Sequence, residues 1–136
     1  MDRKQLVSEA LAAREFAYTP YSGFAVGAAL LTKDGKIYRG CNIESATYTP
    51  TNCAERTAFF KAVSEGERSF EAIAIVGGPA GKPPVDFCFP CGVCRQVMAE
   101  FCRADTFRVL LGTAPENIRV YTLAQLLPLA FSGEML

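Results

Sequence analysis

The sequence predicts an α/β domain with one mixed sheet of five strands and helices on its faces. Three observations predict it. Apolar residues recur at helical spacing in several separated segments, β-rich runs lie between those segments, and two pairs of runs are joined by links too short for a parallel crossover. At 136 residues the chain suffices for one compact domain that buries most of its apolar surface without disulfide staples, so one domain over residues 1–136 is expected.

The elements follow in order. Residues 2–17 place Leu6, Ala10, Leu11, Phe16 and Ala17 at helical spacing among charged residues, which predicts an amphipathic opening helix. "YTPYSGF" breaks it. "FAVGAALLT" and "IYRGCNIE" are β-rich and are joined by "KDGK", whose Asp34-Gly35 pair signals a tight antiparallel hairpin. "CAERTAFFKAVSEG" is a second helix with Gly66 as its stop. "FEAIAIVGG" is a buried strand, "PAGKPPVDFCFP" a proline-rich loop, and "CGVCRQVMAEFC" a third helix through Val93, Val97 and Phe101. "TFRVLLGT" and "IRVYTL", separated only by "APEN", predict a second antiparallel pair. A closing helix over "TLAQLLPLAF" starts at a Thr122 cap and tolerates Pro128 near its end.

Composition removes several classes of function. Lys plus Arg and Asp plus Glu both count 14, and no continuous basic track offers a nucleic-acid polymer a binding path. The charged opening "MDRKQLVSEALAAREF" lacks a signal-peptide core, and no run approaches the roughly 20 apolar residues of a membrane span. The expected address is the cytoplasm, where cysteines stay reduced and closely spaced ones turn to metal or catalytic work. The chain has no histidine. Histidine-based triads are therefore excluded, and a transition-metal site must be built mainly from sulfur or carboxylate.

The chemistry-bearing residues gather at two predicted helix starts. Cys91 and Cys94, at i and i+3, share one face of a first helical turn, where the positive end of the helix favours thiolates. Cys53 opens another helix in the same way. Three thiolates from two helix N-termini fit one tetrahedral zinc with its fourth position open to water. Glu55 lies at i+2 from Cys53, off its face, and is suited to carry protons beside that position rather than to bind the ion. Arg56 and the helix dipoles would offset the excess negative charge of three thiolates. Competing readings of "CFPCGVC" are a redox pair, a closed structural zinc with Cys88 as fourth ligand, and part of an iron–sulfur ligand set. Cys102 lies too far along for the usual spacing of the last; Cys41, Cys88 and Cys102 otherwise read as small apolar fillers.

"CAE" followed by "PCxxC" matches the three-cysteine form of the zinc nucleobase deaminase signature. Together with "YTPYSGFAVGAALLTKDGKIYRGCNIE", "NCAERTAFFKAV" and "PCGVCRQVM", the chain resembles the small free-nucleoside cytidine deaminases from about Tyr18 to Phe131. The resemblance implies a three-layer αβα fold, a homotetramer, and zinc-dependent deamination of cytidine and 2′-deoxycytidine to uridine products with release of ammonia, as in pyrimidine salvage. It implies that Cys53, Cys91 and Cys94 hold Zn2+ and that Glu55 is the proton carrier. Asn42 and Glu44 would bond the ribose hydroxyls, and Phe24 would pack on the base. The backbone of Ala54 would contact the base carbonyl, and the backbone carbonyl of Phe89 would face the amino group. Phe131 would enter a neighbouring subunit's site. Three spellings depart from the family's usual ones: Phe89 where serine is common, Val93 where alanine is common, and "SATYTPTN". They bear on substrate range, and Phe89 and Val93 motivate the alternative of a blasticidin-type deaminase acting on a modified cytosine nucleoside. Phe24, Tyr48 and Phe131 also have plain packing readings.

Overall fold

A computed structural model of the chain describes residues 1–136. Its elements are α1 (Arg3–Arg14), β1 (Phe24–Thr32), β2 (Ile37–Cys41), α2 (Ala54–Ser64), β3 (Phe70–Pro79), α3 (Gly92–Phe101), β4 (Arg108–Ala114), β5 (Asn117–Thr122) and α4 (Leu123–Leu126), followed by a short 3-10 turn at Gly133–Met135. The five strands form one sheet in the order β2-β1-β3-β4-β5. Only β3 and β4 are parallel; β1 pairs antiparallel with both β2 and β3, and β4 with β5. The mixed sheet and both hairpins are as the sequence predicts. Gly35, at φ +91°, supplies the left-handed backbone of the first turn.

The sheet is apolar on both faces because a separate helical layer covers each. Leu6, Val7 and Ala10 of α1 pack on Ala29, Ala72, Ala74, Val76 and Leu110. On the other face α2 and α3 bury Ala58, Phe59, Ala62 and Met98 against Leu30, Ile73, Ile75, Val109 and Leu111, with Phe70 and Phe107 closing the end. Phe59 anchors this layer, with Phe70, Phe101 and Phe107 at ring-centroid distances of 5.2, 6.1 and 6.0 Å. Helix α2 sits unusually close to β2: a Cβ on Gly40 would lie 2.3 Å from the Ala54 carbonyl oxygen and 2.6 Å from Ala58 N. Glycine at that position therefore sets how near the start of α2 comes to the sheet.

Two elements depart from the sequence expectation. Helix α1 ends at Arg14, short of residue 17. The Arg14 side chain turns inward, donating to the carbonyls of Ala25, Gly78 and Pro79 at 2.9, 2.9 and 2.7 Å. One guanidinium thus ties the end of α1 to the paired ends of β1 and β3. Helix α4 is a single turn rather than a helix through Phe131. Its Thr122–Gln125 capping box forms as expected, but Pro128 cannot donate the next helical hydrogen bond and Leu129 takes a positive φ of 54°.

Candidate metal centre and active site

The start of α2 and the start of α3 lie side by side. Cys53 and Cys91 are the N-cap residues of these helices, both with extended backbone and neither using its side chain as a cap. Cys94 lies in the first turn of α3 and is buried. The three sulfurs fall within 4.8 Å of one another, and Cys91 Sγ is 3.6 Å from Cys94 Sγ. A tetrahedral zinc with Zn–S bonds of about 2.3 Å needs sulfur–sulfur separations of about 3.8 Å, so the donor set fits the ion. Cys88 does not belong to this cluster: a Cβ built on Gly77 would lie 2.8 Å from its Sγ, beside Val26. The thiols of Cys88 and Cys102 are pushed up by burial, to about 11 and about 12, as suits packed thiols.

Electrostatics at the cluster favour one sulfur anion, at Cys53. A hydrogen bond from the Cys94 thiol is the largest influence holding Cys53 down to about 5; burial opposes it, and the Arg56 guanidinium reinforces it. Cys94 itself is pushed far upward, first by that same hydrogen bond and then by burial. Arg56 Nη2 donates to Cys53 Sγ at 3.2 Å, and its Nε is buried without a partner. The guanidinium expected to balance the thiolates thus lies against one of them.

Glu55 is 5% exposed. Burial raises its carboxyl from the ordinary 4.5 to about 7, with the nearby Cys53 charge adding to the rise. A carboxyl poised near neutral pH beside a metal-binding cluster has the properties of a general acid/base.

The remaining residues singled out in the sequence lie around this centre as follows. Asn42 Oδ1 accepts from Val26 N at 2.9 Å and its Nδ2 donates to the Phe24 carbonyl at 2.8 Å, which fixes its side chain beside the first residues of β1. Glu44 accepts from the backbone N–H groups of Tyr21 and Ser22 at 3.0 and 3.1 Å and from the Ser22 hydroxyl. That last hydrogen bond leads the causes holding its carboxyl below the usual range. The "CNIE" backbone is held by Ile43 pairing with Asn52 in both directions and by Glu44 N donating to the Tyr18 carbonyl. Ala54 is fully buried at the first position of α2. Phe24, Phe89 and Phe131 are 42, 50 and 56% exposed, so none is simply a core residue. Phe131 is held at its backbone, where Gln96 Nε2 donates to its carbonyl at 2.8 Å. Tyr48 stands at φ 61° with its ring edge-on to Tyr21 at 6.4 Å.

Sequence reasoning missed the supports of these groups. "YTPYSGF" reads as a helix breaker, yet its Tyr21 and Ser22 orient Glu44. Arg95 of α3 donates its Nε to the Pro90 carbonyl at 2.8 Å and its Nη1 to the Leu126 carbonyl at 2.6 Å. Clefts of about 440, 1000 and 550 Å³ lie elsewhere on the surface, and none is lined by Glu55 or a cluster cysteine.

Comparison with known proteins places these features in context. Residues 1–110 match the family model described as the cytidine and deoxycytidylate deaminase zinc-binding region. A cytidine deaminase of Halalkalibacterium halodurans is 58% identical over 134 residues, covering 98% of this chain and 97% of that protein. One of Sporosarcina psychrophila is 57% identical, covering 98% of this chain and 94% of that protein. The crystal structure of cytidine deaminase from Burkholderia pseudomallei superposes with a TM-score of 0.86 at 49% identity, over 96% of this chain and 100% of that one.

Proposed function

The chain belongs to the cytidine and deoxycytidylate deaminase family, and from that membership we propose the hydrolytic, zinc-dependent conversion of cytidine and 2′-deoxycytidine to uridine and 2′-deoxyuridine with release of ammonia. The observation that carries this reading is the buried Glu55 carboxyl, poised near pH 7 beside three clustered thiols. In this reading Cys53, Cys91 and Cys94 hold the ion. Zinc bound there supplies Lewis acidity, bringing the pKa of a water molecule toward neutrality. Glu55 carries the two protons of the attacking water in turn, one to ring N3 as the oxygen adds to C4 and the second to the departing amino group as the C4 carbonyl forms and the C4–N bond breaks. Its raised pKa suits both directions of transfer. Arg56 keeps its charge against Cys53 and offsets the surplus of three thiolates over a dication.

The other contacts orient the nucleoside. Asn42 and Glu44, already fixed by β1 and by Tyr21–Ser22, take the ribose hydroxyls with little further ordering cost. Phe24 packs on the base, the backbone of Ala54 meets the base carbonyl, and the Phe89 carbonyl faces the amino group. The exposed Phe131 reaches a neighbouring subunit's site, in a homotetramer whose subunits complete one another. Residues 1–136 form one catalytic domain, acting in the cytoplasm in pyrimidine salvage, where reduced thiols remain available to the ion. No helix is long and apolar enough to cross a membrane.

Incubating the zinc-loaded protein with cytidine and following the ultraviolet change tests the reading. Conversion to uridine is expected; an inert protein with zinc bound and subunits assembled would overturn it. The modified-nucleoside alternative is motivated by Phe89 and Val93; the Phe89 ring leans on Tyr121 of β5, and the intact "CNIE" favours an ordinary ribose.

A further inference from the structure

The connection from β3 to α3 runs from Ala80 to Cys91, well beyond the roughly 2–6 residues usual between a strand and a helix. It ends on a cysteine of the metal cluster, so its last residues must be held firmly although they lack regular structure. Their side chains show how. Phe87 lies under Arg119 of β5, whose guanidinium carbon is 4.5 Å from the ring centroid. Phe89 meets Tyr121, two residues further along β5, with ring centroids 6.1 Å apart. Cys88, between them, points the other way, onto Gly77 of β3 and Val26 of β1. The tripeptide is therefore held at both flanks, with two rings on β5 and one thiol on the central strands. Gly77 makes the inner contact possible, since a Cβ there would lie 2.8 Å from Cys88 Sγ. Pro90 follows, buried, with its carbonyl held by Arg95.

We propose that Phe87 and Phe89 are positioning residues: with Arg119 and Tyr121 they staple the loop to β5 and so hold Cys91 where the ion needs it. The inference rests on the three-cysteine zinc site proposed above. Residues that orient a metal ligand govern how tightly the ion is kept, and their loss typically costs about 10–100-fold in metal affinity. The Phe89 ring is engaged with Tyr121, so it does not act as a pocket wall. Its presence should then leave discrimination among cytosine substituents unchanged while slowing loss of the ion.

The test uses zinc-loaded protein and measures two quantities: the rate of zinc transfer to excess chelator, and the ratio of kcat/KM for cytidine to that for N4-methylcytidine. Phe89→Ser and Tyr121→Ala are each expected to release zinc about tenfold faster. The double variant should be no more than about twofold faster than either, because both remove the same contact. For Tyr121→Ala, which leaves residue 89 itself in place, the substrate ratio should stay within about twofold of the parent's. Ile118→Ala, on the opposite face of β5 toward α1, controls for general destabilisation and should release zinc at the parental rate. If Phe89→Ser does not fold, Arg119→Gln, at an exposed position, carries the same test through Phe87. Parental release rates in these variants, equal acceleration in the Ile118 control, or a substrate ratio changed more than about fivefold in Tyr121→Ala would each overturn the proposal. A parent chain that binds no zinc would instead overturn the site reading itself.

Discussion

Glu55 and Arg56 occupy adjacent positions on α2 and have separable tasks. Glu55→Gln keeps the shape of the carboxyl and removes its proton chemistry. Zinc content should stay at the parental level while kcat falls on the order of 10²–10⁴-fold, as metal analysis and steady-state kinetics would show. Arg56→Ala removes the donor on Cys53 Sγ and should lower kcat at least about tenfold while shifting the melting temperature by only a few degrees. Unchanged turnover at full zinc occupancy would contradict the charge-balancing role. Cys102 gives a test in alkaline solution. Burial raises its thiol from 9.0 to about 12, so the unfolded chain ionises first. Its stabilising contribution is complete below pH 9 and is lost as the pH climbs toward 12. At pH 10 the loss is on the order of 1 kcal/mol. Denaturant midpoints for the parent and Cys102→Ala, compared at pH 8 and pH 10, should therefore converge as the pH rises.

At the scale of elements, the approach of α2 to β2 governs where Cys53 and Glu55 stand. Gly40→Ala would force the Ala54–Ala58 turn outward. Overpacking of this kind costs about 1–3 kcal/mol, and the displaced helix start should also release zinc faster, which chelator competition would detect. Thr122→Ala breaks the capping box of α4 and should cost about 0.5–2 kcal/mol in chemical denaturation, with cytidine turnover little changed. These elements also show what the sequence makes legible. Spacing announces two helix starts carrying Cys53, Cys91 and Cys94, because i, i+3 geometry is local. The hairpins are legible for the same reason, through Asp34-Gly35 and the short "APEN" link. The inward turn of Arg14 is not legible, since its carbonyl partners belong to β1 and the end of β3, distant in sequence. The same holds for Phe87 on Arg119 and for Arg95 on Leu126. The overlong reading of α4 has a different origin: apolar periodicity continues past Pro128, where the backbone cannot.

At the scale of the whole molecule, the proposed reach into a neighbouring subunit's site makes the 56% exposed Phe131 the residue to test. Phe131→Ala should raise KM for cytidine about tenfold or more while leaving each subunit's zinc content intact. Light scattering of the same variant would show whether assembly survives. A KM equal to the parent's in an intact oligomer would remove Phe131 from the neighbour's site.

The two helix starts that converge at the thiol cluster are separated in the chain by all of α2 and β3. An ion bridging Cys53 to Cys91 and Cys94 therefore ties off a long loop and acts as a reversible cross-link. It binds well only when both helix ends are in place, so its binding free energy adds to that of folding. Resistance to heat should then rise with the free zinc concentration around the protein, and a zinc-starved solution would weaken the molecule as a solid, independently of any substrate it turns over.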